Sequence, residues 1–132
     1  MSYLIDTDIL IYAVKGYDTV LMQIKKNRDI PMSISLISYA ELVYGAKKSQ
    51  YPERNMITVA RIRNIYPVVG LNIEIMEVFA GIKAKLVKEG TRIEDMDLLI
   101  AATALYMDMT LVTNNTKHFE RIENLKIENW ND

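Results

Sequence analysis

Apolar residues in this chain occur in two kinds of run, and the two kinds alternate. Tyr3-Leu4-Ile5 is a continuous apolar block ending on the carboxylates Asp6 and Asp8. A buried parallel strand has that signature, and a strand is predicted over residues 2–6. Met32 to Ser35, Tyr66 to Leu71 and Thr110 to Thr113 are further short blocks of the same kind. Leu125-Lys126-Ile127 alternates apolar and polar positions and suits an edge strand. Between the blocks lie stretches at helical spacing. The clearest is Ile75, Val78, Phe79, Ile82 and Leu86, an amphipathic stripe that Asn72 can cap and Gly90 can end.

The other helices follow from caps and breaks. Asp8 or Thr7 can cap a helix over Ile9 to Val14, which Gly16 terminates. Asp18 or Thr19 can start a second, running to about Asn27. Ser38-Tyr39-Ala40-Glu41 has the capping-box pattern, which opens a third helix at Ser38 with Leu42, Val43 and Ala46 as its apolar positions. Glu53 to Asn64 reads as a fourth, with Met56, Val59, Ala60 and Arg63 at helical spacing. Asp95-Met96-Asp97 starts a helix whose continuation, Leu98 to Leu105, is apolar nearly all round and therefore buried on more than one side. Asn114-Asn115-Thr116 marks a turn before a short helical segment around His118-Phe119-Glu120. Strands alternating with helices predict an α/β fold with a mainly parallel sheet, in one domain over residues 1–132.

Composition narrows the chemistry. There is no cysteine, which excludes thiol catalysis and thiolate zinc sites, and the single histidine, His118, excludes a multi-histidine metal centre. No apolar run approaches the roughly 18 residues of a membrane span, and no basic stretch precedes the first apolar block, so the chain reads as cytoplasmic. A net charge of −1 decides nothing about nucleic acid. Local basic clusters (Lys25, Lys26 and Arg28; Lys47 and Lys48; Arg61 and Arg63; Lys83, Lys85 and Lys88) are either solvated helix faces or phosphate contacts.

Asp6, Glu41 and Asp97 stand out by context. Asp6 ends a strand, and the other two lie in the first turns of helices. All three are expected at the carboxyl-end rim of the sheet, where open α/β folds bind ligands. Converging carboxylates repel and raise one another's pKa unless a cation lies between them. Mg²⁺ or Mn²⁺ prefers oxygen ligands and suits phosphodiester chemistry. Each acid also has a local reading: Asp6 as a turn or cap residue, Glu41 as the capping-box partner, Asp97 as a first-turn acid complementing the helix dipole. Asp8, Asp95 and Ser38 read chiefly as caps. Thr113 and Asn115 are secondary candidates beside Asp8, and His118, with no acidic neighbour visible in the sequence, reads as a packing or surface residue.

At these residues the chain resembles the PIN-domain ribonucleases, specifically the VapC-like toxins of toxin–antitoxin pairs. Leu4-Ile5-Asp6-Thr7-Asp8-Ile9 looks like the family's opening strand and first acid, and Ile34 to Gly45 like its second-acid segment. Lys48 to Asn55 is similar to the stretch that follows in one subgroup. Asp97-Leu98-Leu99-Ile100-Ala101-Ala102 looks like the third-acid helix, and Leu111 to Phe119 and Glu128-Asn129-Trp130 match the C-terminal part. The resemblance implies a three-layer α/β/α sandwich with a short parallel sheet. It also implies Asp6, Glu41 and Asp97 as metal-binding acids, Mg²⁺ (or Mn²⁺) as cofactor, homodimers, and a VapB-like antitoxin that blocks the acidic pocket. Many members carry a fourth acid at the position aligned with Asn115; asparagine here is a neutral ligand or hydrogen-bonding residue, which weakens the case for a second tightly held metal. The implied reaction is metal-dependent hydrolysis of RNA, in the subgroup that looks nearest transfer RNA, particularly the initiator species cut near the anticodon.

Two other readings stand beside it. Asp6-Thr7-Asp8 also resembles the opening of haloacid-dehalogenase-type phosphatases, whose pattern is Asp-x-Asp-x-Thr, but Leu10 occupies the final position here. The second is a non-catalytic RNA-binding or interaction module of the same fold, against which the presence of all three acids argues.

Overall fold

The computed structural model describes residues 1–132. Five short strands form one sheet: β1 (Tyr3–Ile5), β2 (Met32–Ser35), β3 (Val68–Val69), β4 (Thr110–Val112) and β5 (Ile127–Glu128). Their order is β3-β2-β1-β4-β5, and every neighbouring pair is parallel. Seven helices join them: α1 (Thr7–Val14), α2 (Asp18–Lys26), α3 (Leu36–Lys47), α4 (Pro52–Ile65), α5 (Ile73–Lys88), α6 (Asp95–Tyr106) and α7 (Thr116–Phe119). No helix is long and apolar enough to cross a membrane.

Strand alternation divides the core between two faces. Tyr3, Ile5 and Val112 point into a cluster with Ile9, Leu10, Val20, Leu42, Val59, Ile62 and Trp130, so α1–α4 cover that face. Leu4 and Leu111 point the other way, onto Leu86, Leu98, Ile100, Ala101, Ala104 and Phe119 of α5–α7. The result is the expected three-layer α/β/α sandwich. In α6, Ile100, Ala101, Ala102, Thr103 and Ala104 are all fully buried, as an all-round apolar helix requires. At about 25 cal/mol per Å² of apolar surface, these two clusters supply the main force holding the layers together.

The connections place the site. From β1 the chain builds outward through β2 to β3, then crosses back so that β4 lies on the other side of β1. The loops leaving β1 and β4 therefore diverge, which makes the β1/β4 carboxyl ends a topological switch point, the usual ligand crevice of an open α/β sheet. Asp6 leaves β1 at this crevice, and its N–H donates to the carbonyl of Val112 at 2.8 Å.

Several local expectations are corrected. Helix α1 begins at Thr7 rather than Ile9, because Asp6 itself is the N-cap, its Oδ1 accepting from the Thr7 N–H at 2.8 Å. Helix α3 begins at Leu36, capped by Ser35, whose hydroxyl accepts from the Ser38 N–H at 3.0 Å. Ser38 is thus inside the helix and forms no capping box with Glu41. Strand β2 runs into α3 without a loop, so its last residue serves as the cap. In α4 the buried positions are Val59 and Ile62, not Ala60 and Arg63; Arg63 lies instead over the ring of Tyr39. Helix α2 starts at Asp18 as expected, with Tyr17 as its N-cap. Among the basic clusters, Lys83 pairs with Asp95 and Lys85 with Glu123 on the exposed surface.

Candidate active site

Asp6 is the centre of the site. It is 6 % exposed. Its Oδ1 is held by the Thr7 N–H and its Oδ2 by the Thr113 hydroxyl, both at 2.8 Å. Thr113 follows β4 and is itself fixed, its N–H donating to the Glu128 carbonyl at 2.9 Å and its Oγ1 accepting from the Asn115 N–H at 3.1 Å. Asp8, one step along α1, accepts from the N–H groups of Ile9 at 2.7 Å and Asn114 at 3.1 Å. Its second carboxylate oxygen also lies 3.5 Å from the Thr113 hydroxyl. The two acids of the Asp6-Thr7-Asp8 stretch thus grip the loop after β4 from the N-terminus of α1.

Glu41 enters through Thr7, whose hydroxyl donates to Glu41 Oε1 at 2.7 Å. It lies in the second turn of α3, and Thr7 bonds to both acids at once, by its N–H to Asp6 and by its hydroxyl to Glu41. Asp97, in the first turn of α6, faces His118 of α7, with Asp97 Oδ2 3.8 Å from Nε2. The other ring nitrogen of His118 is 2.8 Å from the Asn115 amide. The expectation that His118 lacks an acidic partner is therefore corrected: the partner is Asp97, supplied from a different helix.

The electrostatics are one-sided. Burial, and next the Asp8 carboxylate, push Asp6 from the ordinary 3.8 up to about 7, with Asp97 adding to the rise and the Thr113 and Thr7 hydrogen bonds opposing it. Asp8 is raised by burial against the pull of its hydrogen bonds. Asp97 is raised by burial, with His118 opposing. No lysine or arginine forms an ion pair with any of them; the one cationic candidate in contact is His118.

A divalent cation fits this donor set. Desolvated carboxylates without a basic partner are stabilised by a cation placed among them. No three acidic or histidine side chains already stand close enough to grip one ion. Mg²⁺, however, is commonly bound through one or two carboxylates and keeps several waters, so a preformed three-carboxylate cage is not required. Asp6, Asp8 and Asp97 form the mutually repelling set, and Glu41 reaches it by way of Thr7. Asn115 is exposed and spends its amide on His118. Thr7 and His118 are the site residues that sequence reasoning missed. Thr7 was legible as the residue between two acids at a strand exit; nothing local marked His118.

A parallel sheet of this order, with buried acids at its switch point, defines a class, and the family model described as PIN domain matches residues 3–125. The chain belongs to the PIN-domain family. Ribonuclease VapC2 of Haemophilus influenzae is 36% identical over 130 residues, covering 98% of each chain. The tRNA(fMet)-specific endonuclease VapC of Shigella flexneri is 31% identical over 130 residues, again 98% of each. Among solved structures, VapBC2 of Rickettsia felis bound to a DNA fragment from its promoter superposes with a TM-score of 0.93 at 33% identity, covering 98% of this chain and 99% of that one. Within the PIN-domain family this chain belongs with the VapC ribonucleases, and the phosphatase and non-catalytic readings are not favoured.

Proposed function

We propose that this chain is the toxin of a toxin–antitoxin pair and hydrolyses phosphodiester bonds of transfer RNA, the initiator species in particular, in the cytoplasm, with Mg²⁺ (or Mn²⁺) held by Asp6, Glu41 and Asp97. The observation that carries the metal assignment is the buried Asp6 carboxyl, raised to about 7 among like charges with no basic side chain paired to it. The substrate reading is supported by the Shigella flexneri relative, a tRNA(fMet)-specific endonuclease. A VapB-like antitoxin as partner is supported by the VapBC2 structure, and a homodimer is proposed with it.

A bound divalent cation supplies charge stabilisation to the reacting phosphate and makes water a better nucleophile at neutral pH. The protein's own groups do the rest. The Thr7 N–H and Thr113 hydroxyl hold both oxygens of Asp6 and so set its orientation. Thr7 orients Glu41 in the same frame. His118 lies against Asp97 and tempers its repulsion from the other acids.

The test is cleavage of an initiator transfer RNA transcript by purified protein. Cleavage is expected with Mg²⁺ or Mn²⁺, lost in EDTA, and lost in Asp6→Asn and Asp97→Asn. Cleavage that survives EDTA, or that the two variants match, would overturn the assignment; RNA binding without cleavage would return the chain to the non-catalytic reading.

A further inference from the structure

Beside the acids lies an aromatic surface that the hydrolysis itself does not use. Tyr12, on the second turn of α1, and Tyr17, at the N-cap of α2, stack face to face with centroids 4.8 Å apart and planes 3° from parallel. The turn between the helices builds this stack. Gly16 takes φ +80°, its N–H donates to the Ala13 carbonyl at 3.1 Å, and the Tyr17 N–H donates to the Tyr12 carbonyl at 3.0 Å. That double bond pattern is the Schellman motif, which returns the chain over the last helical turn. It brings the two rings together, and Tyr17 remains 41% exposed.

The stack is continuous with the site. The Tyr12 hydroxyl lies 3.4 Å from the Asn114 amide nitrogen, and the Asn114 backbone N–H holds Asp8. The Asn114 side-chain oxygen accepts from the amides of both Asn129 and Asn131 at 3.3 Å. Asn131 is tied in turn to Thr19 at 3.3 Å, and Asn129 to the Asp132 carboxylate at 3.5 Å. The Tyr12 hydroxyl therefore meets a cluster of amides one residue removed from Asp8, and Tyr17, stacked on Tyr12, is the exposed ring of the pair.

We propose that the Tyr12–Tyr17 stack and the Asn114 amide cluster form a platform for one unpaired nucleobase of the RNA, next to the phosphate that is cleaved. This rests on the ribonuclease reading above and names how the substrate is held. Unstacked bases bind on aromatic faces and hydrogen-bond through their edges to side-chain amides. Asp8 and Asp132, the charged groups bonded to this cluster, repel a phosphate, so the patch suits the uncharged base and not the backbone. A target whose bases are unpaired, such as a loop, can offer one; a continuous duplex cannot.

The experiment separates this platform from the ribonuclease reading. With a transfer RNA transcript in Mg²⁺, Tyr17→Leu keeps an apolar side chain but removes the ring, and is expected to lower kcat/KM about 5- to 150-fold, chiefly through KM. Tyr17→Phe and Tyr17→Trp are expected to stay within about threefold of wild type, since each restores a π face. In the Asp97→Asn background, the indole introduced by Tyr17→Trp is expected to lose fluorescence on RNA addition, whereas the buried Trp130 does not. If wild type cleaves and Tyr17→Leu matches it, or if RNA binds without quenching the new indole, the platform is wrong while the ribonuclease reading stands. If wild type fails to cleave but the quenching occurs, the hydrolysis fails and the platform stands.

Discussion

Asp6→Asn should stabilise the metal-free protein at alkaline pH while abolishing cleavage. In the folded chain Asp6 keeps its proton to about pH 7, whereas an ordinary carboxyl loses it near 3.8. Between those values the native state binds the extra proton. Stability falls with pH wherever the native state binds more protons than the unfolded one. The contribution of Asp6 is therefore fully present below about pH 4 and lost as pH rises through 7. About three pH units at roughly 1.4 kcal/mol each set its size on the order of 4 kcal/mol. The asparagine amide escapes this cost and still satisfies its neighbours. Its oxygen accepts from the Thr7 N–H, its NH₂ donates to Thr113 Oγ1, and the Thr113 hydroxyl turns toward Asp8 Oδ2, 3.5 Å away.

The assay is urea unfolding in EDTA at pH 5 and pH 8. Wild type is expected to lose on the order of 2–4 kcal/mol across that interval, a fall of about 1–2 M in midpoint; the variant should lose clearly less, the remainder coming from Asp8 and Asp97. Millimolar Mg²⁺ at pH 8 should restore wild type by mass action and leave the variant nearly unmoved. An Asp6→Asn protein less stable than wild type at pH 8, or with an equal pH slope, would refute the view that Asp6 is a desolvated acid awaiting a cation.

Other substitutions probe the frame around it. Thr7→Val removes the hydroxyl that donates to Glu41 at 2.7 Å; a cost of about 1–2 kcal/mol in urea unfolding and reduced RNA cleavage are expected, whereas Thr7→Ser keeps the hydroxyl and should keep stability and cleavage near wild type. Gly16→Ala places a Cβ in open space but at φ +80°, so about 1–2 kcal/mol of backbone strain is expected in the same assay. Ser38→Ala should be neutral or stabilising by about 1 kcal/mol, because the Ser38 hydroxyl is buried with no hydrogen-bond partner; a loss of more than about 1 kcal/mol would show a partner that the fold hides.

Ser38 and its neighbour Ser35 also show where sequence reasoning reaches its limit. Alternation of apolar blocks and stripes was enough for an α/β fold with a mainly parallel sheet, because strands buried on both faces read as continuous apolar runs; the three-layer sandwich came from the family resemblance. The apolar helix α6 and the Asn72 and Gly90 ends of α5 were legible for the same local reasons. The start of α3 was not. Ser35 and Ser38 both satisfy the cap preference, and Ser38 alone has a glutamate three residues on. The choice falls to Ser35 because β2 ends there, a fact fixed by pairing with β1 and β3 rather than by the segment itself. Once Ser35 caps the helix, Glu41 is released from the backbone and becomes available to Thr7.

The same logic governs the acids. Asp6 was read as either a cap or a site residue, and the cap does not exclude the site role proposed for it: capping α1 fixes one oxygen while Thr113, more than a hundred positions later, fixes the other. The partnership of His118 with Asp97 likewise crosses two helices, and no local pattern encodes it. A switch point between β1 and β4 brings together residues from opposite ends of the chain. The chemistry of each group could be read beforehand, but the pairing that sets its charge belongs to the topology.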